Sequence, residues 1–352
     1  MDKDVRVIYL WAEITGYVIS VLEALSKDYS VSINAVHWDG RKENNNFYKI
    51  KESENVNFYP RSQYNKDRIL ELLNDIKPHI VVVSGWEDKD YIWACRLHKK
   101  KYPNVKIVAG IDDQWHGTFR QRLGTIFYKY FYRSVFDFMW VSGSEQFNFA
   151  RAFGYNQKNI IQNLYSGTFS KEQLDPVFTK RFVFCGRLLQ SKGVDLIVKA
   201  HKGLPESSRS SWPLVIIGSG GDMMSLVDND DDQYIKHIPF LQPDDLYYEL
   251  SKGGIGCMPS IKEQWGVVIH EYTQVGMPLL LSNICGAANE LLIPGYNGYK
   301  FEVNCLESLS NAMKKCTLLT EKQYKRMAKN SILLSNKINP ERCAASILSI
   351  LE

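Results

Sequence analysis

The chain has 352 residues, of which 45% are hydrophobic and 23% charged, so it is long and apolar enough for two domains with full cores. Its 23 glycines and 12 prolines exclude fibrous and low-complexity classes. No apolar run reaches the roughly 18–20 residues that span a bilayer, and the N-terminus lacks a signal-peptide pattern, so we expect a cytoplasmic protein.

The formal net charge of +4 lies entirely in the first half of the sequence. Residues 1–170 contain 23 Lys and Arg against 19 Asp and Glu, whereas residues 171–352 contain 20 of each sign. Between Arg96 and Arg133 there are nine basic and two acidic residues. Such a patch either attracts phosphates, anionic lipid or nucleic acid, or is a solvated helix face. No nucleic-acid-binding motif accompanies it, so we expect no nucleic-acid partner.

Strand-like and helical patterns alternate in the first half of the chain. The apolar spacing predicts strands over 5–11, 29–38, 79–85, 105–111 and 136–143, helices over 16–25, 67–76, 89–101 and 118–135, and an irregular polar stretch over 39–66. Apolar strands that alternate with helices of this length are typical of a parallel sheet with helices on both faces.

The same pattern restarts after a linker that we predict at 165–180. Strands are predicted over 181–187, 212–220, 253–260 and 278–282, with helices over 193–201, 244–251 and about 266–274. We therefore predict an α/β protein with two Rossmann-like, doubly wound domains facing a cleft. The N-terminal domain is residues 1–170, the C-terminal domain is residues 171–335, and a C-terminal helix over 336–352 packs back on the N-terminal domain.

Seven cysteines, an odd number without a Cys-x-x-Cys pair, favour buried reduced thiols over a disulfide framework or a zinc site.

The residues that point to chemistry are concentrated between 259 and 282. Glu263 follows a predicted buried strand, and Glu271 lies eight residues later, with Gly266 between them. We place Glu263 on the loop and begin the helix near Gly266, so that free N–H groups of the helix N-terminus face a diphosphate. Glu271, about one turn deeper, offers two acceptor oxygens to a pair of ribose hydroxyls.

Two cations follow the first strand of the C-terminal domain. Arg187 and Lys192 lie on the loop after strand 181–187, close to the next helix N-terminus. Because a leaving diphosphate gains negative charge as its bond breaks, two fixed cations there would stabilise the transition state.

The C-terminal half resembles the nucleotide-sugar glycosyltransferases of family 4, which have the GT-B fold. The resemblance covers about residues 181–301, a third of the chain, and rests on Gly186-Arg187, Lys192-Gly193, IIGSG (216–220), PFLQPDDL (239–246), Pro259-Ser260, Glu263 to Gly266 and Glu271, Gly276-Met-Pro278, Glu290-Leu291 and Asn297-Gly298. It implies retaining transfer of a sugar from a UDP- or GDP-linked donor, without a bound metal or other cofactor.

The resemblance also assigns residues to the donor. Arg187 and Lys192 would hold the diphosphate, Glu263 the sugar hydroxyls and Glu271 the ribose. Backbone around Trp265, Gly266 and Val267 would face the sugar, and backbone around Phe240 and Leu241 the base. The alternative for the charged residues is a solvated loop or a helix surface.

The N-terminal half departs from the family pattern. After the first strand it has a single glycine, Gly16, where members often have a glycine-rich turn. Where many members have a histidine after the fourth strand, this chain reads GIDDQWHG over 110–117. Asp112 is therefore grouped with Glu263, Arg187 and Lys192 as a predicted catalytic residue, with Gly16, Asp113 and His116 on the acceptor side. The alternative is that an aspartate caps helix 118–135.

Two further signals have a plainer explanation. The Asp228–Asp230 triplet resembles a metal-binding motif of another glycosyltransferase fold, but it lies in an acidic run that we interpret as a solvated loop. The aromatic and basic helix 118–135 suits either a membrane surface or the core, and its position between two buried strands favours the core.

These observations predict a retaining, metal-independent glycosyltransferase of the hexosyltransferase type that acts in cell-surface polysaccharide synthesis. Its partners would be a nucleotide-sugar donor and a glycan or lipid-linked acceptor, with peripheral contact to the inner face of the membrane. The alternatives are a GT-B-fold sugar-nucleotide epimerase or hydrolase, and a non-catalytic sugar-binding subunit.

Overall fold

The computed structural model describes residues 5–39, 55–169, 175–228 and 230–352. Residues 40–54 of the predicted irregular stretch and 170–174 of the predicted linker lie outside these ranges.

The described residues before position 167 form one parallel sheet with helices between its strands. The strands are β1 (Arg6–Trp11), β2 (Ser32–His37), β3 (Val56–Pro60), β4 (Ile80–Val83), β5 (Lys106–Ile111), β6 (Phe138–Val141) and β7 (Ile160–Ile161), in the sheet order β3-β2-β1-β4-β5-β6-β7. The helices are α1 (Gly16–Tyr29), α2 (Lys66–Ile76), α3 (Lys89–Lys101), α4 (Phe119–Phe131) and α5 (Ser144–Ala152).

The rest of the described chain contains a second parallel sheet. Its strands are β8 (Phe182–Cys185), β9 (Leu214–Ile217), β10 (Ile235–Ile238), β11 (Ile255–Met258), β12 (Leu279–Ser282) and β13 (Gly298–Phe301), in the order β10-β9-β8-β11-β12-β13. The helices are α6 (Val194–Lys202), α7 (Glu206–Ser211), α8 (Met224–Asp228), α9 (Pro243–Ser251), α10 (Val267–Gln274), α11 (Ala288–Leu291), α12 (Leu306–Thr317), α13 (Glu321–Ser335) and α14 (Pro340–Leu348).

The chain divides into two compact units. Among the described residues, the N-terminal unit comprises 5–39, 55–166 and 338–352, and the C-terminal unit comprises 167–169, 175–228 and 230–337. Helix α14 therefore belongs to the N-terminal unit, where it packs on α1. The predicted fold class, two parallel-sheet Rossmann-like domains, is confirmed.

Continuous apolar runs explain why the central strands are buried on both faces. The four residues of β4 are IVVV and those of β12 are LLLS, and each of them is buried. Strands with helices over both faces need apolar side chains at every position rather than at alternate ones. All seven cysteines are free thiols; five are buried, while Cys185 and Cys305 are half-buried.

Several elements were missed in the sequence. Strands β3, β10 and β13, with sequences VNFYP, IKHI and GYKF, lack a continuous apolar run, because each lies at or near an edge of its sheet.

By contrast, α3 begins and ends where predicted, and its start has a local cause. The Asp88 carboxylate accepts hydrogen bonds from the backbone N–H groups of Asp90 and Tyr91, which caps the helix.

The prediction that helix 118–135 is a core helix is wrong. Only Thr125 and Tyr128 of α4 are buried. The opposite side of α4 is solvent-exposed and is here named the aromatic face. Each of its side chains is between 51% and 82% exposed. The aromatic face consists of Phe119, Leu123, Ile126, Phe127, Tyr130 and Phe131.

The alternative that an aspartate caps this helix is also wrong. The side chain of Thr118 accepts a hydrogen bond from the backbone N–H of Gln121 and is the N-cap of α4. None of the helices in the described ranges is both long and apolar enough to cross a membrane.

Candidate functional site

The donor-side residues predicted from the sequence gather where the strand order of the second sheet reverses. Strand β8 lies between β9 and β11, so the chain turns to opposite sides of the sheet after β8 and after β11. In open parallel sheets such a reversal leaves a crevice at the carboxyl ends of the strands, and ligands bind there. The loop after β8 carries Arg187 and Lys192, and the loop after β11 carries Glu263.

Backbone hydrogen bonds tie these two loops together. The carbonyl of Ser191 accepts from the N–H groups of Ile261 and Lys262, at 2.8 and 3.1 Å. Gly193, at φ +70°, joins the loop to α6, and a Cβ at this position would overlap the carbonyl of Pro259. The glycine is therefore required both by its left-handed backbone and by the close approach of the neighbouring loop.

One ion pair joins the loops through their side chains. Lys192 Nζ donates to Glu263 Oε2 at 2.6 Å, and Ser260 Oγ donates to the same oxygen at 3.2 Å. The Lys192 side chain is 21% exposed and that of Glu263 is 8% exposed. Because the pair is shielded from water on most sides, it holds both charged groups in fixed positions at the crevice. Arg187, on the same loop as Lys192, is exposed.

The N-terminus of α10 adds backbone donors beside this pair. Gly266 precedes the helix at φ +90°, and Val267 is its first residue, as the sequence predicts. Trp265 is buried, and its carbonyl accepts from the N–H of Ala287 at 3.0 Å. The first N–H groups of a helix have no partner within the helix and carry positive potential, so this end of α10 suits an anion.

Glu271 lies on α10 and is almost fully buried. Its Oε1 accepts a hydrogen bond of 2.7 Å from the hydroxyl of Thr168. Burial raises the pKa of Glu271, and the hydrogen bonds from Thr168 offset part of that shift. Glu271 is therefore not the solvated helix-surface carboxylate of the alternative interpretation.

The loop after β10 reaches the same end of the sheet. The backbone N–H of Phe240 donates to Ser219 Oγ at 2.9 Å, which joins it to the glycine-rich loop after β9. The Phe240 side chain is 37% exposed, and Leu241 beside it is half-buried. The structure thus brings the loops of all the predicted donor residues to one edge of the C-terminal unit.

The predicted catalytic residue Asp112 and the predicted acceptor-side residues lie at the corresponding edge of the N-terminal unit. Gly16 is the first residue of α1, and Asp112 and Asp113 directly follow β5. Burial and the nearby Asp112 raise the pKa of Tyr165, which also contacts Tyr17 edge-to-face at 5.1 Å. These two tyrosines were not predicted, because neither has a motif in its local sequence.

Asp112 and His116 are held by different contacts. The backbone carbonyl of Asp112 accepts from Gln146 Nε2 at 2.8 Å, and the N–H of His116 donates to Gln121 Oε1 at 2.9 Å. Asp112 is half-buried, whereas Asp113 and His116 are exposed.

The acidic run at the end of α8 makes separate contacts. Asp228 Oδ1 lies 3.0 Å from His237 Nδ1, and Asp230 forms an ion pair with Lys202 at 2.9 Å, while Asn229 lies outside the described residues. Within the described ranges, no three His, Cys, Asp or Glu side chains are arranged to hold a metal ion.

Sequence comparison matches the C-terminal unit to an enzyme family. Residues 168–333 match the family model described as "Glycosyl transferases group 1". A curated relative, an uncharacterized glycosyltransferase of Haemophilus influenzae, is 26% identical over 193 residues, which are 53% of this chain and 54% of that protein. The match thus spans about half the length of that relative.

Solved structures resemble the whole chain. The structure of Alr3699/HepE of Anabaena, in complex with UDP and glucose, has a TM-score of 0.70 to this chain and 12% sequence identity. The alignment covers 99% of each chain. WaaG, a glycosyltransferase involved in lipopolysaccharide biosynthesis, has a TM-score of 0.67 and 15% identity, with coverage of 98% of this chain and 99% of WaaG.

The chain has the GT-B fold. Its C-terminal unit carries the match to the group 1 glycosyltransferases, and every donor-side residue predicted from the sequence lies inside the matched range. The GT-B units are two parallel sheets of seven and six strands among the described residues.

Proposed function

We propose that the protein is a retaining, metal-independent glycosyltransferase of the hexosyltransferase type. It would transfer a sugar from a UDP- or GDP-linked donor to a glycan or lipid-linked acceptor in cell-surface polysaccharide synthesis, on the cytoplasmic side of the membrane. One observation carries the proposal. The Lys192–Glu263 pair, the N-terminus of α10 and the buried Glu271 share one edge of a unit that matches a glycosyltransferase family.

In this proposal each group has a role in the transfer. The bond between the sugar C1 and the diphosphate oxygen breaks, a bond from C1 to the acceptor oxygen forms, and the acceptor hydroxyl gives its proton to the leaving phosphate. Lys192 and Arg187, with the helix N–H groups, stabilise the negative charge on the diphosphate. Glu263 accepts hydrogen bonds from sugar hydroxyls, and Glu271 from the ribose. Asp112 remains a predicted catalytic residue, and Gly16, Asp113 and His116 remain the predicted acceptor-side groups.

A ligand panel tests the donor assignment. Ligands that bind the native state raise its melting temperature, so UDP, GDP and ADP with their sugar conjugates should separate into binders and non-binders. We expect one diphosphate to stabilise the protein, and no stabilisation by any of them would contradict the proposal. Turnover of the donor without an acceptor would favour an epimerase or hydrolase. Donor binding without turnover would favour a non-catalytic sugar-binding subunit. The anomeric configuration of the product, read by NMR, tests retention.

We propose further that the aromatic face of α4 contacts an anionic bilayer that carries a lipid-linked acceptor. At 100° per residue, its exposed apolar side chains span an arc of about 140°, roughly opposite the buried Tyr128. Arg122, Lys129 and Arg133 lie along one side of this arc. An apolar stripe bordered by basic residues is typical of a helix that lies in the membrane interface.

Liposome binding tests the bilayer contact. The double variant Phe127→Ser/Phe131→Ser should lose affinity for phosphatidylglycerol vesicles, whereas Leu318→Ser, an exposed leucine of the C-terminal unit, should not. Lys100 and Lys101 are exposed, but Lys99 pairs with Asp137 at 2.5 Å. Neutralising Lys100 and Lys101 should therefore weaken binding by up to about 1 kcal/mol per residue. Absence of wild-type binding at low salt would leave a soluble acceptor as the alternative.

A further inference from the structure

His270 connects three parts of the C-terminal unit beneath the donor-side edge. It is 1% exposed and precedes Glu271 on α10. Its Nδ1 lies 2.7 Å from the backbone nitrogen of Gly167, and its Nε2 lies 3.0 Å from the carbonyl oxygen of Ser335. Gly167 is where the chain enters the C-terminal unit, and Ser335 ends α13, two residues before the chain leaves that unit at Lys337.

These two contacts fix the tautomer of the ring. A backbone N–H only donates, so Nδ1 must accept from Gly167 and cannot carry a proton. A carbonyl only accepts, so Nε2 must carry the proton and donate it to Ser335. The ring satisfies both partners only when it is neutral, and burial lowers the pKa of His270 to about 4, in agreement with that state.

The entry segment is held on α10 by three successive residues. Gly167 contacts His270, Thr168 donates to Glu271, and the carbonyl of Phe169 accepts from Gln274 Nε2 at 3.0 Å. A Cβ on residue 167 would overlap the end of the Gln274 side chain, which would then have to shift. The position of the Thr168 hydroxyl therefore depends on where the Gly167 backbone is held.

We propose that His270 is a positioning residue for the donor. It holds the Gly167–Phe169 segment so that the Thr168 hydroxyl binds one oxygen of Glu271 and orients the carboxylate toward the ribose. This inference rests on the proposed function, since it assigns a donor to Glu271. It adds a residue outside the matched motif positions, one whose contacts span 103 and 65 positions of the chain.

Two substitutions separate the contacts of the ring. The amide oxygen of an asparagine takes the place of Nδ1, and the amide nitrogen of a glutamine takes the place of Nε2. His270→Asn should therefore keep the acceptor for Gly167, whereas His270→Gln should keep only the donor to Ser335. We expect His270→Gln to weaken UDP binding about tenfold, the effect of one hydrogen bond, and His270→Asn to keep most of the affinity.

Coupling to Thr168 distinguishes positioning from simple loss of stability. Thr168→Val should weaken UDP binding about as much as His270→Gln, and the double variant should be no weaker than either single variant, because both act through one hydroxyl. His201→Gln is the matched control, since His201 is also buried and contacts the Trp212 carbonyl at 2.9 Å. His201→Gln removes the buried ring but keeps this donor, so UDP affinity should stay unchanged whatever the melting temperature does. Wild-type UDP affinity in folded His270→Gln, or fully additive losses, would overturn the proposal.

Hydrogen exchange tests the anchoring role of His270 without relying on the proposed function. The Gly167 amide should exchange faster in His270→Gln than in wild type or His270→Asn, and this measurement needs no nucleotide. If UDP, GDP and ADP all fail to bind the wild type, the proposed function fails, and unchanged exchange at Gly167 then also overturns the anchoring role of His270.

Discussion

The buried His270 makes the stability of the C-terminal unit depend on pH in a direction that can be calculated. Burial lowers its pKa from 6.5 to about 4, and the hydrogen bond to Ser335 offsets part of that shift. As the pH falls below 6.5, His270 becomes protonated in the unfolded chain but stays neutral in the folded unit. The folded state therefore loses stability between about pH 6.5 and 4.

The size of this loss follows from the two pKa values. At pH 7.5 both states are neutral and the effect is negligible, whereas at pH 5.0 the linkage relation gives about 2 kcal/mol. For a unit of this size, that corresponds to about 4–8 °C in melting temperature. The variant His270→Gln lacks the titrating ring but leaves the buried N–H of Gly167 without its acceptor, so it starts less stable at pH 7.5.

Differential scanning calorimetry of both proteins at pH 7.5 and 5.0 measures this effect. The wild type should melt higher than His270→Gln at pH 7.5, and at pH 5.0 this difference should narrow by most of the roughly 4–8 °C. The reason is that only the wild type is destabilised by the buried histidine as the pH falls. Other titrating groups are common to both proteins and cancel in the comparison. If the two melting temperatures fall in parallel, His270 is not held neutral and the linkage argument is refuted.

Three further outcomes are expected. Glu271→Ala should weaken nucleoside-diphosphate binding roughly ten- to a hundredfold in a titration, since hydrogen bonds to a charged group contribute about 1.5–3 kcal/mol, and unchanged affinity in a folded variant would place the ribose elsewhere. Gly193→Ala should lower the melting temperature more than Gly295→Ala. Both glycines have positive φ and share a cost of about 1–2 kcal/mol, but only at Gly193 does a Cβ overlap the Pro259 carbonyl, and nothing lies within 4 Å at Gly295. Turnover should survive EDTA, because side-chain cations and helix N–H groups take the place of a divalent ion; loss restored by manganese or magnesium would contradict the metal-free proposal.

The sequence by itself determined the fold class and the elements that carry the donor-side residues. An apolar run such as IVVV in β4 has apolar side chains on both faces of the strand, and both faces must be buried away from water. Such runs therefore predict a parallel sheet with helices over both faces without further context. The Asp88 cap of α3 is equally local, since donor and acceptors lie within three residues. The same holds for the helix start after Gly266, which needs only a left-handed glycine next to a helical pattern.

Tertiary structure decided which faces are covered and which distant groups meet. The periodicity of α4 shows that the helix has an apolar face, but only packing determines that Tyr128 turns inward and Phe127 outward. The contacts of Thr168 with Glu271 and of Gly167 with His270 each join residues 103 positions apart. Hydrogen bonds of this kind depend on where the folded chain brings two backbones together, and no pattern of neighbouring residues encodes that distance.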